Sequence, residues 1–456
     1  MAKLKNIFLE DSKIAFDKKH RQTLTFNISK YDEAVANGKR RYRNMELAKQ
    51  RASYIKGKVV SNLSKYLLEF EKNAQANGIE VLWARNGEEA VSEIIKILNE
   101  NEARLLVKSK SMISEEIELN ENLENTGFEP VETDLGEFIV QVAGEKPYHI
   151  LTPAMHKSKE DVAELFHKKF ATPENSTPEE LTSFVRGVLR KKFISAEAGV
   201  TGSNFLVADV GGVALTENEG NGLMSVAFPK IHIVITGIEK IIPSISDLPL
   251  FFPLLSAWGT GQQVTVYNSL FTGPKKETEP NGPEKMYVIL LDNGRTKIVC
   301  EKDHYEALKC LRCGACLNAC PIYQNIGGYT YNTTYSGPIG SVITPFMKGF
   351  NHYGHLSFAC SLCGACSEIC PVKIPLHKML LLNRKRSVEE NGGGMAWNIG
   401  MKGYKWTFSK RNNLDMVSVP FKNKMLKLNK NVLGNQKEFP LVADRSFSKN
   451  WSINKK

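Results

Sequence analysis

The chain has no cysteine in its first 299 residues and no apolar run long enough to span a bilayer. Its longest apolar stretches, such as 248–258, are interrupted by prolines and fall short of the roughly 20 residues that a transmembrane helix needs. Near the N-terminus, acidic residues directly follow a very short apolar patch, so we expect no secretory signal peptide. We therefore expect a cytoplasmic protein. In that reducing compartment, cysteines more often bind metals or serve redox chemistry than form disulfides.

Familiar catalytic and nucleotide-binding motifs are also missing. The N-terminal part contains no G-x-S-x-G, H-E-x-x-H or Walker A sequence. The nearest approach to a dinucleotide fingerprint is Gly220-Asn-Gly222-Leu-Met-Ser225. It lacks the third glycine and leads into a strand-like run, whereas a phosphate-binding motif opens a helix. We therefore do not expect dinucleotide binding at this segment.

The chain that remains after these exclusions has 456 residues, of which 42% are hydrophobic, and is long enough for two or three domains with cores of their own. Its net charge of +11 is unevenly distributed. Residues 384–456 hold 16 basic and 5 acidic side chains, and residues 1–50 hold 12 and 6. Basic ends therefore flank a mildly acidic body.

The N-terminal part has the pattern of an α/β domain. Residues 31–77 have helical spacing and predict one or two leading helices. Short apolar or β-branched runs then alternate with amphipathic stretches, which predicts a mainly parallel sheet with helices on its faces. Helix starts are indicated at Ser158 and Thr177, where an acidic residue follows a hydroxyl residue at the third position. The predicted strands are 79–84, 105–108, 137–142, 149–152, 205–208, 213–216, 231–236, 264–267 and 287–291.

Two polar groups in this part are candidates for binding. The first lies at the end of a predicted strand. Its polar side chains could orient a small hydroxy acid or a partner protein, and the alternative is a turn with solvated side chains. This group consists of Glu217, Asn218, Glu219 and Asn221. The second, Lys108 and Lys110 near a helix cap at Ser111, either forms an anion site or consists of surface lysines.

The most specific signal is a repeated cysteine motif. From Cys310 and again from Cys360 the sequence reads C-x2-C-x2-C-x3-C-P, the spacing with which two-cluster bacterial ferredoxins hold [4Fe–4S] clusters. Three closely spaced thiolates curl around one face of a cubane, and the fourth cysteine is carried to the other cluster. We therefore predict two [4Fe–4S] clusters with crossed ligands. One is bound by Cys310, Cys313, Cys316 and Cys370, and the other by Cys360, Cys363, Cys366 and Cys320.

Zinc and disulfides explain this motif less well. Structural zinc sites use four ligands, typically as two pairs, and give no reason for a third C-x2-C step or the C-x3-C-P ending. The ninth cysteine, Cys300, has no spacing partner and ends a strand-like run, so a buried structural thiol is expected there in preference to a redox group. The tyrosines between the two motifs are expected to pack and to exclude water.

Several stretches together resemble the lactate utilization protein B family along nearly the whole chain. They are 107–112, 199–221, 229–243, the paired cysteine motifs, the linker 337–345 and the extension from Arg384. The resemblance implies an N-terminal fold related to the sugar-isomerase and CoA-transferase group and a ferredoxin domain of the helical type. It also implies an iron–sulfur subunit of a three-component complex that oxidises L-lactate to pyruvate without NAD and passes electrons toward a membrane acceptor.

The predicted organisation is a helical lead-in (1–70), an α/β domain (71–299), a helical ferredoxin domain (300–385) and a basic extension (386–456). No catalytic residue is identified. Two other functions remain open, a hydroxy-acid-oxidising α/β domain and a redox-sensing regulator. Two interpretations of the basic extension remain open. It docks on an acidic partner or on the negatively charged inner membrane surface, or it is a solvated extension. Its aromatic residues include Trp397, Trp406, Phe408, Phe421 and Trp451. Nucleic-acid binding is not expected, because the basic residues are scattered.

Overall fold

The computed structural model describes residues 2–391, 395–428, 440–447 and 450–451. The chain divides into a compact unit of Met1–Ser387 and a second unit of Val388–Lys456. The finer limits at residues 70, 299 and 385 stay predictions. Four helices lead the first unit: α1 (Ala2–Asp11), α2 (Lys18–Lys39), α3 (Met45–Val60) and α4 (Leu63–Ala76). The helices predicted within 31–77 are therefore confirmed.

Strands and helices alternate in the following segment, as the sequence pattern predicts. Four helix starts of this segment have a side-chain cap, at Asn86, Asp134, Ser158 and Thr177, and the last two form the expected capping boxes. The elements are β1 (Ile79–Ala84), α5 (Gly87–Glu100), β2 (Leu105–Lys108), α6 (Met112–Glu116), α7 (Leu119–Asn125), β3 (Glu129–Glu132), α8 (Leu135–Ala143), α9 (Lys159–Phe170), α10 (Pro178–Ser195), β4 (Ala198–Thr201), β5 (Phe205–Val207), β6 (Gly212–Glu217), α11 (Asn221–Ala227), β7 (Ile231–Gly237), β8 (Ile241–Ile242), α12 (Leu248–Gly259), β9 (Tyr267–Phe271), β10 (Lys285–Leu291) and α13 (Arg295–Val299).

Six of these strands form one parallel sheet, in the order β1-β10-β7-β4-β2-β3. Every residue of β7 is buried, as expected for a strand covered by helices on both faces. The last strand of the segment, β10, lies between β1 and β7, so the prediction that it belongs to the N-terminal part is confirmed. Because all six strands run the same way, their carboxyl ends lie at one edge of the sheet.

A second, four-stranded sheet has the order β8-β5-β6-β9 and was not predicted as a separate layer. Its pairs β5–β6 and β6–β9 are antiparallel, and β5–β8 is parallel. The strand predicted at 264–267 begins only at Tyr267 and runs to Phe271. This sheet places the end of β6, with Glu217, opposite the carboxyl edge of the parallel sheet.

Three expectations about this segment are wrong. Residues 137–142 lie in the helix α8 and not in a strand, because the Asp134 side chain accepts the N–H groups of Gly136 and Glu137 and caps a helix there. Residues 149–152 form a bend in which His149 Nδ1 accepts the N–H groups of Leu151 and Thr152.

The third error concerns the glycine-containing segment from Gly220, which leads into the helix α11 and not into a strand. The Glu217 carboxylate accepts the N–H groups of Gly222 and Leu223, at 2.7 Å and 2.8 Å. These two N–H groups belong to the first turn of the helix, where no intrahelical acceptor exists. A carboxylate from the preceding strand therefore starts this helix.

The cysteine-containing segment is helical, as predicted. Short 3-10 turns occur at Tyr305–Lys309, Tyr329–Tyr331 and Gly354–Phe358. Apolar residues of this segment, such as Leu317 and Ile339, share one buried core with Phe205 and Trp258 of the α/β segment. The helices are α14 (Ala315–Asn318), α15 (Tyr323–Ile326), α16 (Gly337–Lys348), α17 (Phe350–Tyr353), α18 (Ala365–Ile369) and α19 (Leu376–Asn391).

The second unit contains α20 (Met395–Ser409), α21 (Arg411–Met416) and α22 (Val419–Leu428). Trp406, Phe408, Phe421 and Trp451 are exposed. The remainder of the predicted basic extension, at 392–394, 429–439, 448–449 and 452–456, and the side chain of Trp397 lie outside the described residues. Among the helices of the described ranges, none has the length and apolar character that crossing a bilayer requires.

Candidate metal centres and the adjoining pocket

The two cysteine motifs adopt the same local backbone. Arg312 and Leu362, which precede the second cysteine of each motif, have left-handed φ values of 63° and 57°. In this conformation the Arg312 N–H donates to Cys310 Sγ at 3.4 Å, and the Leu362 N–H donates to Cys360 Sγ at 3.2 Å. Backbone N–H groups that point at sulfur stabilise the anionic thiolate and tune the potential of a cluster held by it.

The fourth cysteine of each motif lies against the other motif, because α14 and α18 pack on each other. Cys370 lines one small cavity together with the first three cysteines of the first motif. Burial raises the pKa of Cys320, and the nearby Cys360 and Cys363 raise it further. The fold thus groups the cysteines into two sets of four. We call Cys310, Cys313, Cys316 and Cys370 the inner quartet and Cys320, Cys360, Cys363 and Cys366 the outer quartet.

The spacing of the sulfurs distinguishes between kinds of metal centre. Zinc–sulfur bonds of about 2.3 Å in a tetrahedron place the sulfurs about 3.8 Å apart. Among the described residues, which include all nine cysteines, no three cysteine sulfurs lie within 4.8 Å of one another. None of the nine cysteines forms a disulfide.

The inner quartet also has the electrostatics of a metal site. Burial, and then the neighbouring Cys310, raise the pKa of Cys316 well above its usual range, and Cys313 is affected in the same way. Four neighbouring thiols, two of them buried and two partly buried, repel one another when ionised. A bound cationic centre relieves this repulsion, so the donor set fits an iron–sulfur cluster.

The two quartets differ in exposure. Cys363 of the outer quartet is exposed, whereas no cysteine of the inner quartet is. The inner quartet is surrounded by Ile150, Leu317, Ile339 and other apolar side chains. Of the tyrosines between the motifs, Tyr323, Tyr331 and Tyr335 are buried and pack as expected, whereas Tyr329 is exposed. The outer quartet therefore reaches the surface at Cys363, whereas the cysteines of the inner quartet are buried or partly buried.

The prediction of a buried thiol at Cys300 is wrong, because this cysteine is exposed. The run before it forms the helix α13 and not a strand. Asp292 begins this helix by accepting the N–H of Thr296 at 2.7 Å.

A cavity of about 300 Å³ lies at the carboxyl edge of the parallel sheet. Its walls come from the residues that follow β2, β4 and β7, from the end of β6, from α12 and from Leu311 and Arg312 beside the inner quartet. We call it the edge pocket. The predicted polar group Glu217, Asn218, Glu219 and Asn221 lines it, so the fold does bring these residues together. A single Leu311–Arg312 step separates this pocket from Cys310 and Cys313.

A buried chain of charges connects the sheet edge to the cysteine loop. Arg295 donates to both oxygens of Glu116, at 2.9 Å and 2.8 Å, and through Nε to Glu239 at 2.5 Å. Arg312 Nη2 in turn donates to Glu239 at 3.3 Å, and its guanidinium lies 4.3 Å from the ring centroid of Tyr335. Although burial opposes ionisation, the two arginines lower the pKa of Glu239 to about 2. All of these groups are therefore charged at neutral pH.

Of the two lysines predicted to form an anion site, Lys110 lines the edge pocket and donates to the Leu151 carbonyl at 2.5 Å, and the structure contradicts such a site at Lys108. This side chain is buried, with Nζ 2.6 Å from Glu132 and 3.4 Å from Glu115, so carboxylates already neutralise it and it is not a surface lysine. The helix α6 after Ser111 has only five residues, and the serine side chain does not cap it. A third carboxylate, Glu137, completes the acidic group around Lys108. Burial, and then Glu132, raise the pKa of Glu137 well above its usual range.

Comparisons with known proteins agree with this architecture. A model described as "LUD domain" matches residues 67–291, and one described as "4Fe-4S dicluster domain" matches residues 306–374. "Lactate utilization protein B" of Bacillus velezensis and of Bacillus subtilis are each 43% identical over 350 residues, which covers 76% of this chain and 73% of theirs. The chain belongs to the lactate utilization protein B family.

The family assignment agrees with both the α/β segment and the cysteine-containing segment of the first unit. The matched LUD domain begins within α4 and ends at the last residue of β10, and the dicluster match contains both cysteine motifs. The cysteine segment is therefore an iron–sulfur domain. A solved DUF162 family protein from Deinococcus radiodurans has 13% identity and a TM-score of 0.29, over 50% of this chain and 98% of its own; a likeness this low supports no argument.

The sequence analysis missed the charged residues that connect the α/β segment to the cysteine-containing segment. Glu239 and Lys240 follow β7, Arg295 follows β10, and Arg312 is one of the two residues between Cys310 and Cys313. The available signal was their position, since residues just beyond the carboxyl ends of parallel strands form the binding edge of such sheets. Their pairing depends on tertiary contacts and is not visible in the sequence.

Proposed function

We propose that this chain is the iron–sulfur electron-transfer subunit of a complex that oxidises L-lactate to pyruvate. The curated relatives support the pathway, because their names refer to lactate utilization. The dicluster match and the two quartets support the chemistry. In this proposal the inner and outer quartets each hold one [4Fe–4S] cluster, ligated as the crossed motifs predict.

The observation that carries this proposal is the arrangement of the quartets. Oxidation of a hydroxy acid to a keto acid releases two electrons, and a [4Fe–4S] cluster carries one at a time. Two clusters in one domain accept both electrons in succession. The inner quartet lies beside the edge pocket, and Cys363 of the outer quartet is exposed. We therefore propose that electrons enter at the inner quartet and leave at the outer one.

The residues around each quartet have separate roles in this transfer. The N–H groups of Arg312, Leu362 and Ile374 donate to cysteine sulfurs, which favours the more reduced state of a bound cluster. The apolar side chains around the inner quartet limit its contact with water. Solvent exposure and hydrogen bonding to sulfur both set the potential, so the two sites are expected to differ in potential.

The partners in this proposal are the other subunits of the lactate-oxidising complex. The net charge of +11, concentrated in residues 1–50 and 384–456, favours docking on an acidic partner or on the negatively charged inner membrane surface. No element of the described residues has a nucleic-acid-binding motif, and we do not propose nucleic acid as a partner.

Anaerobic purification followed by iron counting and electron paramagnetic resonance tests this proposal. We expect about eight irons per chain, since two cubanes contain four each. Addition of L-lactate is expected to reduce the clusters only when the partner subunits are present. The proposal would be contradicted if the chain contained two zinc ions and no iron. It would also be contradicted if the clusters stayed oxidised after L-lactate and the partner subunits were added.

A second function is favoured by one observation, the edge pocket beside the inner quartet. In this alternative the α/β domain itself takes up the hydroxy acid and catalyses its oxidation. Reduction of the clusters by L-lactate in the isolated chain, without partner subunits, would support the alternative. No feature of the described residues favours a redox-sensing regulator.

A further inference from the structure

We infer that the edge pocket binds a small 2-hydroxy or 2-oxo monocarboxylate, with its carboxylate between Lys240 and Arg312 and, in the hydroxy acid, its 2-hydroxyl donating to Glu219. This inference rests on the proposed function and deepens it, because it places the substrate class on this chain and names the groups that recognise it. It leaves open whether oxidation takes place here or in a partner subunit.

The position of the pocket is the first argument. In open α/β sheets, ligands bind in the crevice beyond the carboxyl ends of the strands. The edge pocket lies at that position and is closed by the cysteine loop at Leu311 and Arg312. Its volume of about 300 Å³ lies at the lower limit of small-molecule pockets, which favours a small ligand over a nucleotide.

The basic end of the pocket is the second argument. Among the described residues, Lys240 has neither a hydrogen bond nor an ion pair, although it lines the cavity. Arg312 is also incompletely paired. Its side chain is 9% exposed, Nη2 contacts Glu239, and Nη1 is buried without a partner. A buried unpaired guanidinium nitrogen is costly, and a carboxylate is the group that satisfies it best.

Arg312 is held in position before any ligand arrives. Glu239 fixes its Nη2, and the ring of Tyr335 lies against the guanidinium plane at 4.3 Å. Glu239 is itself held by Arg295, and Tyr335 donates to Glu116 at 2.6 Å. A preorganised cation loses little conformational entropy on binding, so its contact with a carboxylate contributes more to affinity.

The acidic end of the pocket favours one class of ligand, the monocarboxylates. Glu217 uses its carboxylate to cap α11. Glu219 accepts a long 3.3 Å bond from the Asn221 amide and interacts with the backbone N–H of Leu135. A carboxylate has about four acceptor positions, so Glu219 retains capacity for a hydroxyl donor. Asp134 also lines the pocket. These acidic groups repel phosphates and dicarboxylates, whereas a monocarboxylate has its single charge at the basic end.

The test is calorimetric titration of the full-length, iron-loaded chain under anaerobic conditions. The ligands are L-lactate, pyruvate, propionate, lactamide and inorganic phosphate. We expect L-lactate and pyruvate to bind and lactamide, which lacks the charge, not to bind. The variant Lys240→Gln should weaken both acids at least tenfold, about 1.4 kcal/mol. Lys169→Gln, at an exposed lysine of α9, is the matched control and should bind like the wild type.

A second variant tests the acidic end independently. Glu219→Gln should weaken L-lactate more than propionate, because propionate has no hydroxyl group to donate. If Lys240→Gln loses iron, Lys240→Arg replaces it and is expected to retain binding. The inference is overturned if the iron-loaded chain binds no carboxylate, if Lys240→Gln binds as well as the Lys169→Gln control, or if phosphate binds in preference. Normal iron content and partner-dependent electron transfer in that case would leave the electron-transfer proposal intact.

Discussion

Replacement of Arg295 by methionine tests the buried charge network most directly. The Arg295 side chain is 2% exposed and donates to two carboxylates, Glu116 and Glu239, that are each 1% exposed. Methionine fills similar space but leaves both carboxylates without this partner. Breaking a buried ion pair from one side costs about 3–5 kcal/mol. We expect Arg295→Met to lower the free energy of unfolding by an amount within this range. The loss should not double for the two carboxylates, because Arg312 still contacts Glu239 and Tyr335 still contacts Glu116.

The size of the first unit converts this free energy into a melting shift. Unfolding entropy is about 2.1 cal/mol/K per residue, which for the 387 residues of Met1–Ser387 gives about 0.8 kcal/mol/K. A loss of about 3–5 kcal/mol therefore lowers the melting temperature by about 4–6 °C. Anaerobic scanning calorimetry at one scan rate measures this shift. Arg190→Met, at an exposed position of α10, is the control and should change the melting temperature by less than about 1 °C.

The pH dependence of the same variant separates charge from packing. In the wild type, Arg295 holds the pKa of Glu116 and Glu239 below that of an unfolded glutamate, despite their burial. Lowered carboxyl pKa values stabilise the fold above about pH 4.3, and this stability is lost as pH falls toward 2. In Arg295→Met the carboxylates lose this effect and take up protons at higher pH. The difference in unfolding free energy between the wild type and Arg295→Met should therefore be largest near pH 8 and smaller near pH 5. A difference that does not change with pH, or one below about 1 kcal/mol, would refute the electrostatic reasoning.

The sequence was sufficient to predict those features that depend on local spacing. Continuous apolar runs located β7 and β10, and hydroxyl caps located α9 and α10. Each of these patterns is complete within about a dozen residues. For that reason tertiary structure had little opportunity to alter them.

The errors arose where a single polar contact decides between helix and strand. The run 137–142 is apolar enough for either, and the Asp134 cap makes it a helix. The segment after Gly220 becomes helical because Glu217 accepts its first N–H groups. The site residues Glu239 and Arg295 are 56 positions apart along the chain, and no periodicity indicates that they meet. Their contact depends on β7 and β10 being neighbours in the sheet.

Two further substitutions test the ligand grouping and the acidic group around Lys108. Cys370→Ser should damage the cluster of the inner quartet while the outer one, held by Cys360 and Cys363, keeps its resonance signal; loss of the outer signal alone would contradict the crossed ligation. Glu137→Gln should raise the melting temperature at pH 8 more than at pH 5, because a carboxyl whose pKa is raised on folding destabilises the fold as pH rises. Glu160→Gln, at an exposed glutamate, is its control, and an equal gain at both pH values would argue against a raised pKa.

The crossing of the cysteines also has a consequence for stability. Because each quartet takes one member from the other motif, neither motif completes a quartet alone. The loop of the first motif is in turn fixed to the α/β sheet by the Arg312–Glu239–Arg295 contacts. Loss of the sheet edge therefore removes a support of the inner quartet, and loss of the inner quartet removes the tie that Cys370 makes between the second motif and the first. The α/β segment and the iron–sulfur segment are thus expected to unfold together, although the sequence describes them as two separate patterns.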